Sequence, residues 1–185
     1  LTPEQFKSFK KICIVACGSA YHVGVVAKYV FEQTLRIPVE VDVASEFRYR
    51  NPIVDDKTLV IVISQSGETA DTLAALREAK SYGAYILSIV NVVGSAIANE
   101  SDDVVYTWAG PEIAVATTKA YSTQLAVVYL LTIYFGDILG TISETEYKKY
   151  LSELRLIPDK IEQILKNKED IQYFASQQFD NRDIF

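Results

Sequence analysis

The chain has 185 residues, 49% of them apolar and 23% charged, and a net charge of −6. That is the balance of a folded domain with a sizeable core. It argues against nucleic acid as a partner, because a polyanion requires a cationic surface, and against adsorption to an anionic membrane.

Cys13, Cys17 and the single His22 form no ligand cluster, so no metal and no cofactor are expected. Two thiols without a secretory leader point to a reducing cytoplasm, and the opening "LTPEQFKSFKK" has none of the features of a signal peptide.

In chain order, "KICIVAC" (Lys11–Cys17) reads as a buried strand and "AYHVGVVAKYVFEQTL" (Ala20–Leu35) as a helix. "PVEVDVA" (Pro38–Ala44) alternates apolar with polar, which predicts a strand nearer an edge. "TLVIVIS" (Thr58–Ser64) is continuously β-branched and predicts a central strand. "TADTLAALREAKSYG" (Thr69–Gly83) predicts a helix closed by glycine. "AYILSIVN" (Ala84–Asn91) and "DVVYTW" (Asp103–Trp108) predict two further strands, followed by a helix from about Thr117 to Phe135. The uncharged run within that helix, Ala120 to Gly136, falls short of a membrane span and carries Ser122, Thr123, Gln124 and Thr132, so a buried helix is expected. The helix is apolar nearly all round, so it needs cover on two sides, from a partner subunit or from another domain.

Apolar strands separated by helices define an α/β fold: three αβα layers around a five-stranded parallel sheet in the flavodoxin-like order 2-1-3-4-5. In such sheets ligands sit beyond the carboxyl ends of the strands, where the strand order reverses. Here that point lies between strands 1 and 3, flanked by "CGSA" (Cys17–Ala20) and "SQSGET" (Ser64–Thr69).

From Ser143 the composition turns charged, with apolar residues at helical spacing (Leu151, Leu154, Ile157, Ile161, Ile164, Leu165). Pro158 cannot sit inside a helix, so a break is expected with Pro158 in the first turn of a second helix. Residues 1–142 are thus read as one domain and 143–185 as a helical linker. "DNRDIF" has the look of a new strand beginning, which implies that a further domain follows in the parent protein.

Ser64, Gln65, Ser66 and Thr69 crowd hydroxyl and amide groups at a helix start, where free N–H groups carry about half a positive charge. Neutral donors on a helix dipole can hold a phosphate without Lys or Arg. Gly67 would let backbone approach such a ligand closely. One hydroxyl would read as an N-cap, Ser66 being the candidate. Four within nine residues, Ser64, Ser66, Thr69 and Thr72, at the switch point read as a site. No Walker A sequence is present, "CGSAYHVG" lacks the dinucleotide glycine spacing, and Ser64 stands where a phospho-receiver needs Asp.

Around this loop, Lys119 is either a ligand contact or a solvated charge. Glu112 reads as a surface carboxylate rather than a sugar contact, His22 as a helix-surface residue, and Cys17 as a small buried filler. Arg48 and Arg50 either attract anions or form salt bridges at a subunit contact.

Taken together, "CGSAYHVG", "ASEFRYR", "SQSGETADTLAALREAK", "NVVGSAIANESD" and "GPEIAVATTKAYSTQLAV" resemble the isomerase part of the glutamine–fructose-6-phosphate aminotransferase family, and in particular the first of its two sugar isomerase (SIS) halves. The resemblance implies that Ser64, Gln65, Ser66 and Thr69 hold the phosphate of a hexose 6-phosphate. It implies that Ser19 and Ala20, matching a Thr-Ser pair, line the site, with Ala20 offering only backbone. It implies that Val115 and Thr117 face the sugar.

The family's acid/base Glu, ring-opening His and Schiff-base Lys belong to the second SIS half, so no catalytic residue is expected within this chain. The resemblance further implies a homodimer and a glutaminase domain in the parent protein. Two other readings stand beside it: a phosphosugar sensor of a regulator, for which no basic helix-turn-helix is present, and a structural module whose hydroxyls are only caps.

Overall fold

Five β-branched runs extend as strands: β1 (Lys11–Ala16), β2 (Val39–Val43), β3 (Thr58–Ser64), β4 (Tyr85–Val90) and β5 (Asp103–Tyr106). In the computed structural model, which describes residues 1–114 and 117–183, all pairings are parallel and the order is β2-β1-β3-β4-β5, as the sequence predicts. Every residue of β3 is buried, because a middle strand covered on both faces has no polar side to show. β2 lies at the edge, and only Val39 of its residues is fully buried. Ala16 pairs with Ile63 across β1 and β3, so the two carboxyl ends are level and Ser64 stands one residue beyond.

Alternation along the strands sends side chains to two separate cores. Ile12, Ile14, Leu59, Ile61 and Ile63 pack against α2 (Gly18–Leu35) and α6 (Lys119–Leu139). Cys13, Val15, Val60 and Val62 pack on the other face, against α3 (Ala44–Phe47), α4 (Ala70–Ser81) and α5 (Ala96–Glu100). These are the three expected layers.

α6 has the length and composition of a membrane span, but Val127, Val128, Leu131 and Phe135 fill the first core, while Tyr129, Leu130 and Tyr134 face outward. α1 (Pro3–Ser8) was not anticipated. Thr2 and Gln5 form a capping box that starts it, and its Phe6 stacks on Phe135 with ring centroids 3.9 Å apart.

Helix ends differ from the spacing argument by small amounts. α2 begins at Gly18, two residues early, and α6 runs from Lys119 to Leu139, closed by Gly140 in the left-handed conformation. α3 and α5 span four and five residues, too few for a helical period to register in sequence.

The chain divides into two compact units at Glu144/Thr145. The second holds α7 (Glu144–Arg155), α8 (Ile157–Leu165) and α9 (Lys168–Gln178). Pro158 lies in the first turn of α8, as expected, since its missing N–H costs nothing there. The break before α9 was not expected. Ile184 and Phe185, where a new strand was read, lie outside the described residues.

Candidate functional site

Beyond the carboxyl ends of β1 and β3 lies a cavity of about 290 Å³. The segment after β1 contributes Cys17, Gly18, Ser19 and Ala20. The end of β3 and its loop contribute Ile63, Ser64, Gln65, Ser66 and Thr69. Thr72 comes from α4, Thr117 from the segment just before α6, and Ala120 and Gln124 from the first two turns of α6. Ser19, Ala20, Ser64, Gln65, Ser66, Thr69 and Thr117, all named from sequence, are therefore brought together. Val115 lies outside the described residues. None of the described lining residues carries a charge.

Two helices begin at this cavity. Cys17 is the N-cap of α2 and Thr69 that of α4, and neither start is capped by a side chain. The first N–H groups of both helices thus lack an intrahelical acceptor, and both dipoles present their positive ends. The reading of Ser66 as an N-cap is corrected: the helix starts three residues later, because Ser66 turns its hydroxyl onto its own loop.

The loop explains how neutral residues become donors. Ser64 Oγ accepts the N–H of Gly67 at 3.1 Å and lies 3.2 Å from Thr69 Oγ1. Ser66 Oγ accepts the N–H of Glu68 at 3.2 Å. A hydroxyl whose oxygen accepts from backbone keeps its proton to give away. Glu68, the acidic residue of the loop, is turned aside: its carboxylate accepts the N–H of Ala96 at 2.8 Å. Backbone bonds from Asn91 N–H to the Gln65 carbonyl (3.1 Å) and from Ile97 N–H to the Gly67 carbonyl (3.0 Å) fasten the loop to its neighbours. Gly67 adopts φ of 69°, and the space of its missing side chain is taken by Ser95 rather than opened to a ligand, which corrects the role read from sequence.

The cations near the strand ends are engaged within the chain. Arg48 pairs with Asp71 in the first turn of α4 at 3.2 Å, and Arg50 pairs with Glu40 and Asp42 of β2. Neither lines the cavity. Lys119 is exposed and does not line it either.

Glu112 accepts from Thr117 Oγ1 at 2.8 Å and from the Ala120 N–H at 3.3 Å, so it caps α6 rather than sitting as a free surface charge. The Thr117 hydroxyl, aided by the amides of Ala120 and Ala114, holds its carboxyl below the usual carboxylate range. His22 is exposed on α2, its ring edge on Tyr21, as anticipated. Cys17 is only half-buried and lines the cavity, so the filler reading fails. Cys13 is buried in the second core, and burial, helped by the Glu40 carboxylate, pushes its thiol up to about 12.

Two lining residues were not assigned to the site from the sequence, although Thr72 closes the hydroxyl-rich stretch. Thr72 is 1% exposed and its Oγ1 has no partner. Gln124 is 2% exposed and makes no side-chain hydrogen bond among the described residues. A signal for Gln124 existed. Thr117, Ala120 and Gln124 stand at i, i+3 and i+7, one face of a helix, and a Gln on an otherwise apolar face is conspicuous.

A parallel α/β sheet with an uncharged, donor-rich crevice at its switch point defines the class, and the SIS domain model matches residues 5–134. The chain belongs to the SIS domain family. Along its whole length it is 59% identical to the glutamine–fructose-6-phosphate aminotransferase (isomerizing) of Caldanaerobacter subterraneus subsp. tengcongensis, of which it covers 30%. It is 48% identical over 175 residues to that of Methanosarcina mazei, covering 95% of this chain and 28% of the relative. The chain thus spans under a third of the curated relatives it matches. Among solved structures, the C-terminal domain of glucosamine-fructose-6-phosphate aminotransferase from Francisella tularensis superimposes with a TM-score of 0.91 at 40% identity, over 96% of this chain and 51% of that one.

Proposed function

We propose that this chain is the first SIS half of a glutamine–fructose-6-phosphate aminotransferase and that its cavity holds a hexose 6-phosphate. The observation that carries the reading is the convergence of two uncapped helix starts and a set of proton-bearing hydroxyls on a cavity with no charged residue among its described lining. The phosphate lies over the start of α4, taking hydrogen bonds from Ser64, Ser66, Thr69 and free backbone N–H groups. Each such bond to a charged acceptor is worth about 1.5–3 kcal/mol, enough in sum to offset lost phosphate hydration. Ser19 and the backbone of Ala20, with Val115 and Thr117, face the sugar.

The described lining residues include no His, Lys or carboxylate to carry a proton between sugar carbons. This half binds and orients its ligand, and the acid/base chemistry belongs to a second SIS half, reached through residues 143–185. A glutaminase domain supplies nitrogen in the parent enzyme, which works as a homodimer in the cytoplasm.

Titration calorimetry of the 185-residue chain with D-fructose 6-phosphate tests the reading. Binding is expected, with Ser64→Ala and Thr69→Val each weakening it about tenfold. Absence of heat and of amide chemical-shift change at millimolar sugar phosphate overturns it.

A further inference from the structure

The reading above leaves two buried lining side chains without work, Thr72 on α4 and Gln124 on α6, and of these only Gln124 lies across the cavity from the hydroxyl loop. Gln124 sits in the second turn of α6, 2% exposed, lining the cavity, with its carboxamide unbonded among the described residues. Buried amides are nearly always paired, so an unpaired one at a cavity wall marks a place for a partner.

Its position says which part of a ligand it meets. α6 packs on the sheet face shared with α2, whereas α4 and its hydroxyl loop belong to the opposite face. Gln124 therefore approaches the cavity from the side away from the phosphate loop. Its chemistry agrees. A carboxamide offers two N–H donors and an accepting oxygen, and its natural complement is a hydroxyl, which also both gives and takes, rather than a phosphate oxygen, which only takes.

Thr117, which lines the cavity just before α6, has committed its proton to Glu112, so toward the cavity its oxygen can only accept. The two ends of the cavity thus differ: donors on the α4 side, mixed and accepting groups on the α6 side.

We propose that Gln124 is a specificity-determining residue that hydrogen-bonds the polyhydroxylated body of the ligand and separates a sugar phosphate from a bare phosphate. This rests on the phosphosugar reading of the cavity.

The experiment compares the 185-residue chain with Gln124→Met, which keeps the volume and removes the hydrogen bonds. Calorimetry is run with D-fructose 6-phosphate and with inorganic phosphate, and ¹H–¹⁵N spectra of wild type follow the Gln124 side-chain amide signals. The expected result is about a tenfold loss for fructose 6-phosphate in the variant, unchanged affinity for phosphate, and side-chain amide shifts with the sugar phosphate only. Equal binding by variant and wild type, parallel loss for both ligands, or Gln124 signals that ignore the sugar phosphate each overturn the inference while the phosphosugar reading stands. A wild-type chain that binds neither ligand overturns both. The spectral arm needs no variant, so it decides even if Gln124→Met does not fold.

Discussion

A methyl group placed on Gly67 would stand 2.0 Å from the Ser95 hydroxyl oxygen and 2.5 Å from its Cβ. Rotating the hydroxyl away would not relieve the second contact, and Ser95 is buried at the N-cap of α5. Positive φ at Gly67 adds about 1–2 kcal/mol for any L-residue. Gly67→Ala should therefore lower the melting temperature by roughly 5–10 °C and abolish detectable sugar-phosphate binding, because the amide that Ser64 Oγ holds must move. Adding Ser95→Gly removes the clash but not the strained φ, so it should recover only part of the melting loss. Differential scanning calorimetry of the single and double variants decides; a wild-type melting profile for Gly67→Ala refutes the packing argument.

Ala20 lines the cavity at the start of α2, 7% exposed, at a position where the family resemblance implies a hydroxyl. Ala20→Ser adds one donor beside an uncapped helix start without changing charge. An affinity gain of about three- to tenfold for D-fructose 6-phosphate is expected, with little change in melting temperature. Calorimetry on both proteins measures it; unchanged affinity would mean that the side chain does not face the ligand, and a loss would mean that the hydroxyl crowds it.

The strands were legible in the sequence because the runs of β1, β3 and β4 are continuously apolar and that of β2 alternates with a period of two, and the switch point followed from the strand order alone. "SQSGET" was legible as a site because Ser64, Ser66 and Thr69 are too many hydroxyls for one cap. What was not legible depended on tertiary neighbours. Gly67 was assigned to the ligand because nothing in sequence places Ser95 against it. Arg48 and Arg50 were left between anion attraction and a subunit contact because Asp71 and the β2 carboxylates become neighbours only through the fold. Thr72 and Gln124 escaped because a helix residue becomes a cavity wall only once α4 and α6 are set against the ends of β1 and β3.

The two thiols should separate cleanly in reactivity. Cys17 is half-buried at the cavity, while Cys13 lies in the core with its thiol pushed up to about 12, first by burial and then by Glu40. At pH 8 one thiol per chain should react with a disulfide reagent in the native state and the second only on unfolding. D-fructose 6-phosphate should slow the first reaction. The Cys13 contribution to stability is intact below the ordinary thiol pKa and is lost progressively between that value and about 12, since only the unfolded chain ionises there. Two fast thiols at pH 8 would contradict the burial of Cys13.

Glu112 gives the acid side of the pH profile. Its carboxyl is held below the usual carboxylate range, chiefly by the Thr117 hydroxyl and then by backbone amides, with Lys119 adding attraction. A depressed carboxylate contributes at pH values above its ordinary pKa, and the contribution disappears as pH falls through the lowered value. The amide signals of Thr117 and Ala120 should therefore titrate together, at a midpoint below that of an exposed Glu, as the cap on α6 is lost. Protonated Glu112 holds the Thr117 proton less firmly, so Thr117 is no longer fixed as an acceptor toward the sugar end of the cavity. Glu112→Gln should erase this titration and, at neutral pH, weaken D-fructose 6-phosphate binding more than inorganic phosphate binding. Comparing the variant with wild type also cancels the ligand's own phosphate ionisation, which affects both proteins alike. Amide signals that titrate at the ordinary carboxylate midpoint, or that persist unchanged in Glu112→Gln, would show that Glu112 does not govern the start of α6.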